Sequence, residues 1–208
     1  MQIPKIIHQV WVGPIPKPPF LGSWGEKHPD YEYKLWTVPE IDAFMPLKNQ
    51  HLFDDFANSK EFGNISGLVD ILRYEILYEY GGIYIDGDIE CLRTLEGEFL
   101  ESDFFVSYVL ERVEQTLSNS VIGCTKNHPI MKQMIDELHS CERVTDTPNI
   151  FCGSLKLTEV IDNSGLDVVK LPSHYFHPMH YSGAKYLGDE KPFGFHHWMT
   201  ASRVYKGK

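Results

Sequence analysis

The sequence predicts a single α/β domain over residues 1–208, with a mixed central sheet flanked by helices. Three observations carry this reading. Residues 5–12, KIIHQVWV, form an apolar, β-branched run bounded by Pro4 and Gly13, the pattern of a buried first strand. Residues 66–90 read as helix, glycine stop, short strand and acidic turn. Further short apolar runs at 104–109, 119–124 and 168–172 are interleaved with helical patterns. A chain of 208 residues can bury a substantial core without disulfides.

Taken in order, residues 13–20 (GPIPKPPF) are too proline-dense for anything but an extended loop. Tyr31, Tyr33 and Leu35 alternate with Glu32 and Lys34, which predicts a half-buried second strand. Thr37-Val38-Pro39-Glu40 is a capping box with proline in the first turn, opening a short helix that runs to Met45. Residues 46–65 are polar and read as irregular, with Asp54 and Asp55 on a solvated edge. Over 68–80 good helix formers place Leu68, Ile71, Leu72 and Ile76 at three- and four-residue steps. Gly81-Gly82 ends that helix, and 83–85 is a strand by its brevity and β-branching. Residues 111–118 are polar and read as a loop over the site. In the helix that opens near Asn127, Ile130, Met134 and Leu138 form a core stripe. A last helix over 155–161 is closed by Asn163-Ser164-Gly165.

The stretch at 66–90 also carries chemistry. Strand alternation puts Tyr84, Asp86 and Asp88 on one side, and Gly87 lets a ligand approach the backbone. Asp70 and Arg73, three apart, share one helix face. Carboxylates this close repel unless a cation lies between them, and hard oxygen ligands suit Mg²⁺ or Mn²⁺, which add substrate phosphates to their shell. That fits a sugar nucleotide, with Arg73 donating to sugar hydroxyls or phosphate, Asp70 accepting from a hydroxyl, and Tyr84 bracing sugar or phosphate. Either pair alone is common in solvated turns and intrahelical ion pairs; their combination within so few residues is what points to a site.

The run DILRYEILYEYGGIYIDGDIE resembles the signature of the DXD-motif sugar transferases of glycosyltransferase family 32, which include capsular polysaccharide enzymes and yeast α-mannosyltransferases. The opening IPKIIHQVW, residues 3–11, matches the same family. The resemblance implies a GT-A-like, Rossmann-like fold, a nucleotide-sugar donor, a divalent cation and retention of anomeric configuration. It further implies that Trp11 stacks on the nucleotide base, that Asn119 faces the acceptor, and that Gly153 opens a helix beside the acceptor pocket. In FGFHHWMTAS it implies that a histidine or a serine, His196 or His197 or else Ser202, completes the metal shell of Asp86 and Asp88. The chain departs from the family after Trp198, where no second tryptophan follows.

The expected function is therefore a metal-dependent, retaining hexosyltransferase. It would move a sugar from a UDP-sugar, in preference to a GDP-sugar, to a glycan or lipid-linked glycan in surface or capsular polysaccharide synthesis. The alternative is a non-catalytic nucleotide-sugar or glycan-binding module that keeps the metal site. A phosphatase built on the IYIDGD strand is rejected, because Glu90 stands where those enzymes carry Thr or Val. A net charge of −10 argues against a nucleic-acid partner. The four cysteines, Cys91, Cys124, Cys141 and Cys152, lack metal or redox spacing and read as reduced, mostly buried thiols. The three histidines of HYFHPMH (174–180) suit a lid loop better than a metal site. With no leader pattern and no apolar run of membrane length, the expected location is the cytoplasm, with at most peripheral contact to the inner face of the membrane.

Overall fold

The computed structural model describes residues 2–59, 64–113 and 115–199. Its central sheet has six strands: β1 (Ile6–Val10), β2 (Glu32–Trp36), β3 (Gly82–Ile85), β5 (Phe104–Tyr108), β6 (Leu117–Cys124) and β7 (Val169–Leu171). Their spatial order is β2-β1-β3-β6-β5-β7. The β1–β2, β1–β3 and β5–β7 pairs are parallel, while β3–β6 and β5–β6 are antiparallel. A second ribbon pairs β4 (Ile89–Cys91) with β8 (Gly194–His196). Helices α1 (Ser23–Lys27), α2 (Val38–Phe44), α3 (Gln50–Asn58), α4 (Asn64–Tyr80), α5 (Pro129–His139), α6 (Pro148–Phe151) and α7 (Ser154–Ser164) fill the connections.

Strand alternation divides the core in two. Val10, Tyr84, Phe104, Val106 and Ile122 face a layer built from α3, α4, α5 and α7. Ile7, Ile83, Ile85, Phe105 and Val121 face the opposite layer, where Trp24, Phe176 and Phe193 close the core. The α5 stripe is core, as its spacing predicts: Ile130, Met131, Met134, Ile135 and Leu138 are all buried. All four cysteines are free, and Cys91, Cys124 and Cys152 are buried.

Residues 50–58 correct the reading of 46–65 as irregular. They form α3, with Leu52 and Phe56, four apart, fully buried against α4. The buried Glu75 carboxylate on α4 accepts from the backbone N–H groups of Lys48 (2.7 Å) and Asn49 (2.8 Å), satisfying donors at the start of α3. Gly67 admits the Phe56 ring, since an added Cβ there would lie 2.4 Å from it. The helix depends on a carboxylate 26 residues from Asn49, which no local pattern reports.

His8 ties the sheet to the end of α4. Trp36 donates its indole N–H to Nδ1 (3.1 Å), so Nε2 carries the proton and donates to the Gly81 carbonyl (2.9 Å). Gly81 adopts φ 65°, the left-handed conformation that ends α4. Burial lowers the His8 pKa from 6.5 to about 4. The ring is therefore neutral in the fold and protonates near 6.5 once unfolded, so its stabilising contribution is complete above about pH 6.5 and is lost as pH falls through about 4. The stability advantage of the native chain over His8→Gln is expected to shrink by up to about 3 kcal/mol across that window, measured by urea denaturation at a series of pH values.

Candidate active site

The chain runs from β1 to β2 on one side and places β3 on the other, so the carboxyl ends of β1 and β3 flank a topological switch point. Open α/β sheets bind ligands there. Trp11 follows β1, and Asp86, Gly87 and Asp88 follow β3. The two ends are pinned together by Gln9, fully buried, whose amide donates to the Asp86 carbonyl (3.1 Å) and accepts from the Tyr33 hydroxyl (2.7 Å). Gly87 has no side chain because none fits: a Cβ would meet Trp11 Cε3 at 2.7 Å and the Val10 carbonyl at 2.8 Å.

Asp86, Asp88 and His196 converge, each offering a ligand atom within 4.8 Å of the others. Among the described residues this is the cluster with donors suited to a metal. His196 arrives from β8, whose pairing sets it opposite Ile89, and its Nε2 lies 3.1 Å from Asp88 Oδ1. Asp88 Oδ2 accepts from the Met199 backbone N–H (2.8 Å). Burial alone would raise the Asp88 carboxyl, but His196 and the Met199 N–H outweigh it and hold the pKa at about 2. Nδ1 of His196 is buried without a hydrogen-bond partner. Two hard carboxylates and a borderline imidazole are a donor set that fits Mn²⁺ or Mg²⁺.

Behind this cluster, α4 contributes a buried ion network. The Arg73 guanidinium lies 2.8 Å from Asp70 Oδ1 and 3.2 Å from Asp86 Oδ1, donates to the Asn119 carbonyl, and sits 4.6 Å above the Tyr84 ring. The fork expected to meet substrate is thus turned onto protein groups, with Nε buried and without a partner. Burial raises Asp70 to about 7 against the pull of Arg73. Burial likewise raises Asp86, with Arg73 opposing and Asp88 assisting. Tyr84 also differs from its expected role. It is fully buried, and its hydroxyl donates to Asp86 Oδ1 (3.0 Å), bracing the motif rather than a substrate.

Asn119 reaches this network through an irregularity in β6. Its ladder with β5 jumps from Val106↔Ile122 to Ser107↔Ser118, so residues 119–121 bulge and Asn119 is aimed at α4. Its amide donates to Asp70 Oδ1 (2.8 Å) and accepts from the Ser154 hydroxyl (3.0 Å). Gly153 precedes α7 and shares with Ser154 the wall of a cavity of about 440 Å³ that Asp70, Asp86 and His196 also line. A smaller slot of about 110 Å³ opens beside it, walled by Trp11, Val12, Ile15, Val69 and Gly87 and joined to the larger one at Arg73 and Asp86. The indole N–H of Trp11 donates to the Ile15 carbonyl (3.1 Å), fixing the ring in that slot.

His197 is not part of the cluster. Adjacent residues on an extended chain point oppositely, so its ring stacks on Phe20 (4.3 Å between centroids) and its Nε2 lies 3.0 Å from Glu90. Ser202 lies outside the described residues. The three histidines of 174–180 part company as well: His174 meets Glu190, His177 meets Ser120, and His180 meets Ser182. Sequence reasoning missed Gln9, Tyr33 and Ser154; a glutamine inside an apolar strand was the available signal.

Comparison with known proteins agrees with this geometry. A family model described as "Glycosyltransferase sugar-binding region containing DXD motif" matches residues 20–106. An uncharacterized glycosyltransferase of Acanthamoeba polyphaga mimivirus is 32% identical over 187 residues, covering 85% of this chain and 73% of the viral protein. The chain belongs to the DXD-motif glycosyltransferases. Inositol phosphoceramide mannosyltransferase 3 of Schizosaccharomyces pombe is 37% identical over 140 residues, which is 65% of this chain and 37% of the yeast protein. The chain thus spans only about a third of that relative's length. Among solved structures, the PaToxG glycosyltransferase superposes with a TM-score of 0.62 at 18% identity, covering 80% of this chain and 71% of that one, and shares the GT-A fold. No described helix is long and apolar enough to cross a membrane.

Because Gln9 alone bridges Tyr33 and the Asp86 carbonyl, Gln9→Leu leaves a half-buried hydroxyl without that partner and removes one of the bonds that hold Asp86. A stability loss of about 1–3 kcal/mol in chemical denaturation is expected. Weaker Mn²⁺ binding by calorimetry should accompany it.

Proposed function

We propose that this glycosyltransferase is metal-dependent and draws its sugar from a nucleotide-sugar donor. The observation that carries the reading is the convergence of Asp86, Asp88 and His196 beside the Trp11 slot. Asp86, Asp88 and His196 hold the cation, which when bound supplies charge neutralisation for a departing nucleoside diphosphate. Trp11 offers its ring to the base, and Gly87 lets the diphosphate approach the backbone. The larger cavity then receives the transferred sugar and the acceptor. Asp70, Asn119, Gly153 and Ser154 are its polar wall, and Arg73 fixes the carboxylates around it.

UDP-sugars remain the first donors to test, by analogy with capsular polysaccharide donors, and retention of configuration is what the family resemblance implies. The mannosyltransferase relative makes mannose a candidate sugar, and its inositol phosphoceramide substrate supports a lipid-linked glycan as acceptor. The capsular role and the cytoplasmic location are carried by the sequence reading alone.

The test is release of free nucleotide from a panel of UDP- and GDP-sugars, with and without Mn²⁺ and without acceptor. Metal-dependent hydrolysis of one donor is expected; metal-dependent nucleotide binding with no turnover of any donor, with or without glycan acceptors, would favour a binding module. Asp88→Asn should abolish metal-dependent turnover, by at least about a hundredfold, while leaving the circular dichroism spectrum unchanged. Trp11→Ala should weaken nucleotide binding about tenfold or more, as loss of one stacking partner does.

A further inference from the structure

A hydrogen-bonded relay runs from the core to the floor of the larger cavity, and its direction can be read atom by atom. His177, from the 174–180 loop, is 2% exposed. Its Nδ1 lies 3.1 Å from the Tyr108 carbonyl oxygen, which can only accept, so Nδ1 carries the proton. The bare Nε2, 2.8 Å from Ser120 Oγ, must then accept the serine proton. With its own proton committed, Ser120 Oγ can only accept from Ser118 Oγ, 2.7 Å away. Ser118 in turn accepts from the Ser120 backbone N–H at 3.3 Å. Each hydroxyl has donated its one proton and keeps a lone pair, and both serines line the cavity.

The relay lies beside the chemistry. The Ser120 carbonyl accepts from the Asp86 N–H (2.8 Å), and the His177 ring is 5.2 Å from that of His196. On the other side of the cavity the Ser154 hydroxyl is spent on Asn119, and Trp198 and Tyr181 present aromatic rings. An aromatic ring beside a floor of hydrogen-bond acceptors suits a molecule with an apolar face and hydroxyl donors at its edge, which describes a pyranose.

We infer that His177 is a positioning residue: through Ser120 and Ser118 it makes the β6 wall a hydrogen-bond acceptor that holds the attacking hydroxyl, of acceptor or of water, beside the Asp86–Asp88–His196 cluster. The inference rests on the transferase reading above. The attacking hydroxyl donates its proton in a hydrogen bond and no proton transfer to His177 is required. The serines therefore orient the nucleophile and leave nucleotide binding to the Trp11 slot.

Two measurements on the full chain test this. Nitrogen-15 NMR of the histidine rings should show His177 protonated at Nδ1 and bare at Nε2. Ser118→Ala and Ser120→Ala should each lower kcat for donor hydrolysis about tenfold, the loss of one hydrogen bond, with KM for the donor and Mn²⁺-dependent nucleotide affinity unchanged. If Ser120→Ala fails to fold, Ser118→Ala at the open end of the relay decides the matter. A His177 ring protonated at Nε2 overturns the relay whatever the turnover, as do serine variants hydrolysing donor at the native rate. A native chain that turns over no donor, with or without glycan acceptors, instead overturns the transferase reading itself, and the NMR result keeps the two failures apart.

Discussion

The Arg73 guanidinium, buried between Asp70 and Asp86, is the interaction on which the rest of the site depends. Three ionisable groups in so small a space are tolerable only as a set, because burying a charge without a partner costs several kcal/mol. Removing Arg73 would leave two carboxylates facing each other in low dielectric, and removing Asp70 would leave Arg73 with half its compensation. The Asn119 carbonyl, the Asn119 amide and the Tyr84 ring supply the remaining partners. Asn119 lies on β6, Tyr84 on β3, and Asp70 and Arg73 on α4, so the network fastens α4, β3 and β6 to one another at the place where the motif turns.

This explains why the DXD segment can present carboxylates outward with little freedom. Asp86 is held at its side chain by Tyr84 and Arg73, at its carbonyl by Gln9, and at its N–H by the Ser120 carbonyl. Asp88 is held by His196 and the Met199 N–H. A donor set fixed in this way loses little entropy on taking up a cation or a diphosphate, which is the physical content of preorganisation. Trp11 is held in the same spirit, by its bond to the Ile15 carbonyl and by the missing side chain at Gly87.

Much of this was legible in one dimension. The spacing of Leu68, Ile71 and Ile76, the Gly81-Gly82 stop and the brevity of 83–85 give α4 and β3 with their ends within a few residues. The i, i+3 spacing of Asp70 and Arg73 gives their pairing, and strand parity gives the shared face of Tyr84 and Asp86. Helix α3 was not legible, because the carboxylate that accepts from the N–H groups of Lys48 and Asn49, just ahead of it, belongs to Glu75 on another helix. Asn119 was legible as a candidate but its partners were not, since they follow from a bulge that only strand pairing reveals.

The sequence by itself determined the local geometry: which residues share a helix face or a strand face, where helices stop, and hence that acidic groups and an arginine meet at one strand end. Backbone periodicity fixes those relations within a few residues and needs no tertiary context. Only the tertiary structure decided that His196 and not His197 joins Asp88, that Tyr84 serves Asp86, and that Arg73 turns inward. Those outcomes depend on the β4–β8 register and on how α4 seats against β3 and β6, contacts between residues far apart in sequence. Chain spacing cannot encode which of two neighbouring side chains faces a distant partner, because a one-residue shift of register exchanges them.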